Sequence, residues 1–512
     1  MKLKPRARAA ANRRHAWQIL EAPSEDRKND TKQDGKRSSR QQQQRSSNLR
    51  QRAWQILEAP TGEHPAVETD AAMGPQLPDE ATVHLVLDLV VRIGEVQMAS
   101  GAGAQDVTAT ILALTRALGL PHCEVDVIFT SITVSCHRGS DLSPVTALRV
   151  VRSRSLDYTR LSATERLVQK LLRNKLSAEE AYAELHRVTD AGHPYPRWVS
   201  TLAWGGMAGS ISLLLGGDGW TALVAFVISA AIDRVGRMLN RANMPFFFQQ
   251  VVGGVLASSA AIGVVNLDIL PLERPTLVVA AALTVLLSGL STVSAVQDAI
   301  TGYYVTAAGR SLEVALMSAG LITGVAGGIQ LAEYLGSERT PVPSVPALDV
   351  QNLPMIVLAG TGAAACFALA CYASLRPLLV AACAGAVGAA AYGTLMVIDL
   401  GAITSSAVAA TVVGFGGGVM ARRLKVTPLV VAVSGITPLL PGFATYRGLS
   451  ELADFGNLTP LMGAVATGIA LAAGVVFGEF LAQPVRTGLG RLERKLAGPR
   501  MAGPLNPGGS PE

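Results

Sequence analysis

The sequence predicts a predominantly α-helical multi-pass membrane protein, with ten transmembrane helices as an inverted 5+5 repeat preceded by a small α+β cytoplasmic domain. Three observations predict it. The 512-residue chain is 49% hydrophobic and only 16% charged, whereas an average soluble chain carries about 25% charged residues. From Trp198 onward the apolar residues gather into ten runs. Two of those runs, one in each half, resemble each other at an offset of 153 positions.

The formal net charge of +6 suggests a nucleic-acid partner until the charges are placed. Residues 1–52 hold 15 Lys+Arg and 5 Asp+Glu, and the other 460 residues hold 29 and 33. The basic excess therefore belongs to a tail, and no nucleic-acid partner is expected. Residues 1–80 read as a disordered basic tail, too polar to bury a core. The string AWQILEAP occurs twice there, at 16–23 and 53–60. It reads either as a local duplication or as a short amphipathic helix for anionic lipid. The start lacks the pattern of a cleavable signal, and the five cysteines suggest no disulfide framework.

Residues 81–195 read as the cytoplasmic α+β domain. Residues 83–98 are mostly apolar and predict a helix. Val107, Ile111, Leu114 and Leu118 follow at helical spacing, closed by Gly119 and Pro121. Alternation over 123–129 and 132–136 predicts two strands. Ser162 with Glu165, and Ser177 with Glu180, have capping-box spacing and predict two further helices. His122-Cys123 and Cys136-His137 would approach in a tight hairpin, but the spacing fits no standard zinc pattern, so no metal or other cofactor is expected. The domain has no nucleophile elbow, no Walker loop and no His-Glu-x-x-His, which speaks against an enzyme and against an ATP-driven pump.

The ten apolar runs lie at about 199–215, 219–236, 246–265, 276–297, 311–332, 354–373, 377–398, 400–421, 426–446 and 459–482. Most approach the ~20 residues that cross a bilayer core. A crossing backbone must satisfy its own hydrogen bonds, which makes these runs helices. They divide into a first half at 196–335, a linker at 336–353, a second half at 354–485 and a cytoplasmic tail at 486–512. Even-numbered loops carry eight Lys or Arg and odd-numbered loops three. By the positive-inside rule both termini are cytoplasmic.

The repeat appears when residues 277–298 are laid on 430–451. Thr284 meets Thr437, Gly289 meets Gly442, Thr292 meets Thr445, and Asp298 meets Glu451. These are the fourth runs of two five-run halves. An odd number of crossings per half inserts the halves in opposite directions, as in many secondary transporters. Both runs are interrupted, by Gly289 and by the Pro438/Pro441-Gly442 stretch. Freed carbonyls at such a break line cavities or simply kink the helix. The candidate substrate-binding residues are Ser288, Gly289, Ser291, Thr437, Pro441, Gly442 and Thr445, with Ser294 beside them. Ionisable groups at membrane helices are functional candidates by default. Asp298, Glu451 and Glu313 are the candidates for proton coupling, while an interfacial role solvated by headgroups is the alternative for each.

At these residues the chain resembles a known family. Residues 288–302 (SGLSTVSAVQDAITG), 245–254 (PFFFQQVVGG) and 435–448 (GITPLLPGFATYRG) resemble stretches of threonine/serine exporters of the actinobacterial type, in which both halves are fused. Residues 416–423, 472–479 and 125–134 fit the same pattern, and the likeness runs in order over about 81–485. The resemblance implies a secondary transporter of the bacterial plasma membrane. It would export threonine and serine, driven by the proton gradient, with the lipid bilayer and possible further copies of itself as partners. The chain departs from the pattern at Asp106, where many members have Arg before the valine. Export of small dicarboxylates, or a membrane-anchored hydrolase, are the alternatives.

Overall fold

The computed structural model describes residues 79–137, 143–152, 156–266, 270, 275–286, 289–336, 350–424 and 426–496. The AWQILEAP repeat, nearly all of the 1–80 tail, most of the 336–353 linker and Ser288 lie outside the described residues.

The chain begins with helices α1 (Glu80–Ala99) and α2 (Ala104–Ala117), followed by strands β1 (Cys123–Ile128), β2 (Ser131–Cys136) and β3 (Val145–Val150). The strands form one antiparallel sheet in the order β1-β2-β3. Helices α3 (Tyr158–Leu171) and α4 (Ala178–Asp190) complete this part. Its apolar side chains, among them Leu87, Ile93, Ile111, Ile132 and Leu185, share one hydrophobic cluster. Gly119 ends α2 with φ +86, a left-handed turn that glycine adopts without steric cost.

Local rules explain most of these boundaries. Ser177 and Glu180 form a reciprocal capping box at the start of α4. The other expected box, at Ser162, is not a helix start. Asp157 caps α3 one turn earlier through the Arg160 amide, so the helix opens at Tyr158. Strand β3 was not expected from the sequence. It is an edge strand whose Leu148 and Val150 face outward, so its hydrophobic alternation points away from the core. Cys123 and Cys136 are paired across β1 and β2. Burial, with Cys136 as close neighbour, pushes the Cys123 thiol up to about 12. Among the described residues no group of three or more His, Cys, Asp or Glu side chains could hold a metal ion.

The remaining helices carry the apolar runs. They are α5 (Arg197–Leu214), α6 (Gly219–Arg241), α7 (Phe246–Asn266), α8 (Pro275–Leu286), α9 (Gly289–Ile300) and α10 (Tyr304–Tyr334). After the linker come α11 (Leu353–Ala370), α12 (Leu375–Val397), α13 (Ala402–Leu424), α14 (Pro428–Ile436), α15 (Gly442–Phe455) and α16 (Thr459–Leu496). Among the described residues, six of these helices are long and apolar enough to cross a bilayer: α7, α10, α11, α12, α13 and α16. The pair α8–α9, bent by 53° at its break, makes a seventh if counted as one crossing. Helix α6 falls outside that set. It carries Asp233, Arg234, Arg237 and Arg241, and its Asp233–Arg237 pair is 2.6 Å apart.

The two halves share a packing pattern. Helix α5 packs on α6 as α11 packs on α12, α7 on α10 as α13 on α16, and α9 on α10 as α15 on α16. Small residues permit the tightest pairs. A Cβ at Gly324 would overlap the Val251 backbone of α7, and one at Gly478 would overlap the Thr411 carbonyl of α13. The breaks also correspond. The Thr284 hydroxyl donates to the Ala280 carbonyl at 2.9 Å, and the Thr437 hydroxyl to the Val433 carbonyl at 2.9 Å. Both residue pairs are related by the offset of 153 positions. The breaks approach each other where Gly442 lies against Thr284.

Candidate functional site

The second break is built by its prolines. Helix α14 ends at Ile436, and residues Thr437–Leu439 form a single 3-10 turn. Helix α15 restarts at Gly442 behind Pro441. Thr437 is buried, and Pro441 and Thr445 are half-buried. The Thr445 hydroxyl donates to the Pro441 carbonyl at 2.7 Å. The hydroxyl hydrogens of Thr437 and Thr445 are thus engaged by their own helices, which leaves their oxygens as acceptors. Of the first-half candidates, Gly289 opens α9 and Ser291 is half-buried on it.

The three candidate acids are placed very differently. Asp298 is fully buried near the end of α9, and Arg310, 2% exposed on α10, faces it at 2.8 Å. Glu451 is half-buried on α15, paired with Arg447 one turn earlier at 2.9 Å and accepting from Asn457 at 3.2 Å. Glu313 is half-buried on α10, three residues beyond Arg310.

Asp298 is also the point where the N-terminal part meets the apolar helices. Helix α2 begins with Gly103 as its N-cap, which has no side chain to cap the free amides. Asp298 supplies the missing acceptor, taking the Ala104 amide at 2.8 Å. A carboxylate at a helix N-terminus is stabilised by the free amides and by the helix dipole. Arg310 donates to the Ala102 carbonyl at 3.3 Å, and the Ser294 hydroxyl to the Gly101 carbonyl at 3.2 Å. Gln297 donates to Asp106 at 3.4 Å. The β1–β2 turn adds a second contact. Thr306 donates to the Val127 carbonyl and accepts the Phe129 amide, both at 3.0 Å. Phe129, held at φ +52, lies against Gly309.

Part of Asp106 remains accessible to solvent. Its carboxyl is nonetheless held above the usual carboxylate range, chiefly because the surrounding protein displaces water. The Asp298 charge acts in the same direction, and the Gln297 hydrogen bond acts against both.

A third contact joins α3 to the turn between α11 and α12. The Tyr158 amide donates to the Cys371 carbonyl at 2.9 Å, and His193 pairs with Asp157 at 2.8 Å while stacking on Tyr372.

Sequence reasoning nominated Asp298 but missed Arg310, Gln297, Thr306 and Phe129. Arg310 counted only as a loop charge, because the fifth apolar run was read from 311. Helix α10 in fact starts at Tyr304, which puts Arg310 inside it. The available signals were an arginine bordering an apolar run and a helix opening on Gly103 with no capping side chain.

Together, the apolar helices and the two interrupted runs define a multi-pass membrane protein. Residues 88–332 match a family described as "Putative threonine/serine exporter", and residues 357–483 match one described as "Threonine/Serine exporter, ThrE". A "Probable threonine/serine exporter" of Mycobacterium tuberculosis is 37% identical over 428 residues, covering 81% of this chain and 79% of the relative. A "Threonine/serine exporter" of Corynebacterium glutamicum is 36% identical over 416 residues, covering 80% and 85%. No solved structure matches the chain. The chain therefore belongs to the threonine/serine exporter family, whose members are transporters rather than enzymes.

Proposed function

We propose that the protein exports threonine and serine across the bacterial plasma membrane by proton antiport, with both termini in the cytoplasm. The observation that carries the substrate is the 37% identity to a relative named for those two amino acids, spread over 81% of this chain. The matching helix pairs and equivalent breaks support a reading of ten helical passes as two inverted halves, with the breaks forming the substrate path.

On this reading residues 81–195 form a cytoplasmic gate, and Asp298 couples the proton to it. The ionised carboxylate holds Arg310 and the start of α2, which closes the cytoplasmic side. A proton arriving from outside neutralises Asp298, and the Arg310 pair and the dipole contact weaken together. The domain then lifts, an amino acid enters, and loss of the proton to the cytoplasm seats the domain again. One proton moves inward for each outward cycle. Glu451 is the counterpart at the other break, and Glu313, beside Arg310, is a relay for the same proton. The acceptor oxygens of Thr437 and Thr445 suit an ammonium or a substrate hydroxyl.

The test is efflux from membrane vesicles loaded with labelled threonine, serine or succinate under an imposed proton gradient. Gradient-dependent loss of threonine and serine is expected. Faster loss of succinate would replace this reading with dicarboxylate export.

A further inference from the structure

A cavity of about 610 Å³ lies between the first turn of α13, the first two turns of α15 and the first turns of α16. Its volume falls within the roughly 300–1,000 Å³ usual for small-molecule sites. Small residues line it, including Ala402, Thr404, Ala444, Gly463 and Thr467, and Arg447 is the charged member of the wall. Glu451 engages the Arg447 Nε. The two terminal amino groups of Arg447 have no hydrogen-bond partner among the described residues. Such a guanidinium presents two parallel donors, the geometry that a carboxylate accepts. The N-terminal turns of α13 and α16 border the same space, and their dipoles favour an anion.

Helix passes counted from the contact between the soluble domain and the α9–α10 corner place this cavity on the opposite face. Helix α10 leaves that face, α11 returns to the domain at Cys371, and α12 leaves again, so α13 and later α16 start on the far side. The repeat gives the same placement. Glu451 is the equivalent of Asp298, and where Asp298 binds the start of α2, the space beside Glu451 is open.

We propose that this cavity is an exit-side site for the carboxylate of the transported amino acid, held by Arg447, with Glu451 near the ammonium. The proposal rests on the exporter reading above. A zwitterion satisfies both charges of the Arg447–Glu451 pair, whereas a dicarboxylate meets repulsion from Glu451. Thr404 and Thr467 supply polar groups for a short hydroxylated side chain.

The test uses the full-length protein in right-side-out vesicles loaded with labelled L-threonine, and measures exchange driven by external ligand. External L-threonine should accelerate the exchange, and threoninol, which lacks the carboxylate, should not. Arg447→Gln should raise the external concentration for half-maximal exchange at least tenfold, and Arg447→Lys should recover part of the loss. Gly463→Leu is the second variant. A Cβ there meets nothing within 4 Å, so the backbone admits a side chain that grows into the cavity, and it should raise the same concentration with Arg447 intact. Equal exchange with threoninol, or unchanged half-saturation in both R447Q and G463L at equal membrane abundance, would overturn the site. Loss of no threonine or serine from the wild-type vesicles under a proton gradient would instead overturn the exporter reading, and this site with it.

Discussion

Replacing Asp298 with Asn removes one charge from a pair in which Asp298 is 0% and Arg310 2% exposed. Asparagine still offers an oxygen to the Ala104 amide, so the change isolates the charge. Breaking a buried charge pair by removing one partner costs about 3–5 kcal/mol. At about 1.4 kcal/mol per factor of ten, that loss corresponds to roughly a hundredfold to several-thousandfold. Hydrogen exchange of the Ala104 amide, followed in nanodiscs, reads this loss directly, because the amide donates to Asp298. D298N should therefore accelerate exchange at the start of α2 by about two orders of magnitude or more. The double variant D298N/R310M should recover most of the protection, since replacing both charges removes the desolvated cation too. Unchanged exchange in D298N, or a double variant that loses as much as the two singles added, would refute the buried pair as the domain's anchor.

Other predictions follow from the same geometry. Gly324→Leu forces side-chain atoms into the Val251 backbone, and should lower stability by at least about 1–3 kcal/mol, the usual cost of overpacking, seen as a lower melting temperature in detergent. Glu451→Gln should abolish proton-driven efflux while protein abundance stays normal; gradient-driven threonine loss at the wild-type rate would remove Glu451 from the coupling. Asp106 carries a raised carboxyl pKa, so the folded state holds its proton more tightly than the unfolded chain. This contribution is present below the ordinary Asp value and is lost as pH rises through the folded-state value. Asp106→Asn should therefore melt above the wild type at about pH 8 and close to it at about pH 3.5, and identical melting at both would refute the assignment.

How much of this was legible in the sequence depends on which forces set each feature. The helices followed from apolar runs, and the two breaks from Gly289, Pro438 and Pro441, because bilayer length and missing amides act locally. Asp298 and Glu451 were nominated because an acid stands at the same offset of 153 positions in both apolar stretches. Their different surroundings did not emerge. The partner of Asp298 is a backbone amide 194 positions earlier, and an amide leaves no mark in composition. Arg310 was hidden by a helix that extends seven residues beyond its apolar stretch, to the turn at Gly302. Strand β3 was missed because Leu148 and Val150 are exposed. The α3 start was misplaced because Asp157 competes with Ser162 for the cap, and tertiary contacts of Tyr158 decide between them.

The proposed gate is tested most directly by locking it shut. A Cβ at Gly103 would lie 3.2 Å from the Gln297 Cδ, so the two positions face each other and cysteines placed there can be tested for a disulfide. With the exposed Cys383 replaced by Ala, threonine efflux is measured in G103C/Q297C vesicles before and after oxidation, and again after reduction. The account predicts that oxidation stops efflux and that reduction restores it. Efflux at the same rate with the cross-link formed would contradict it.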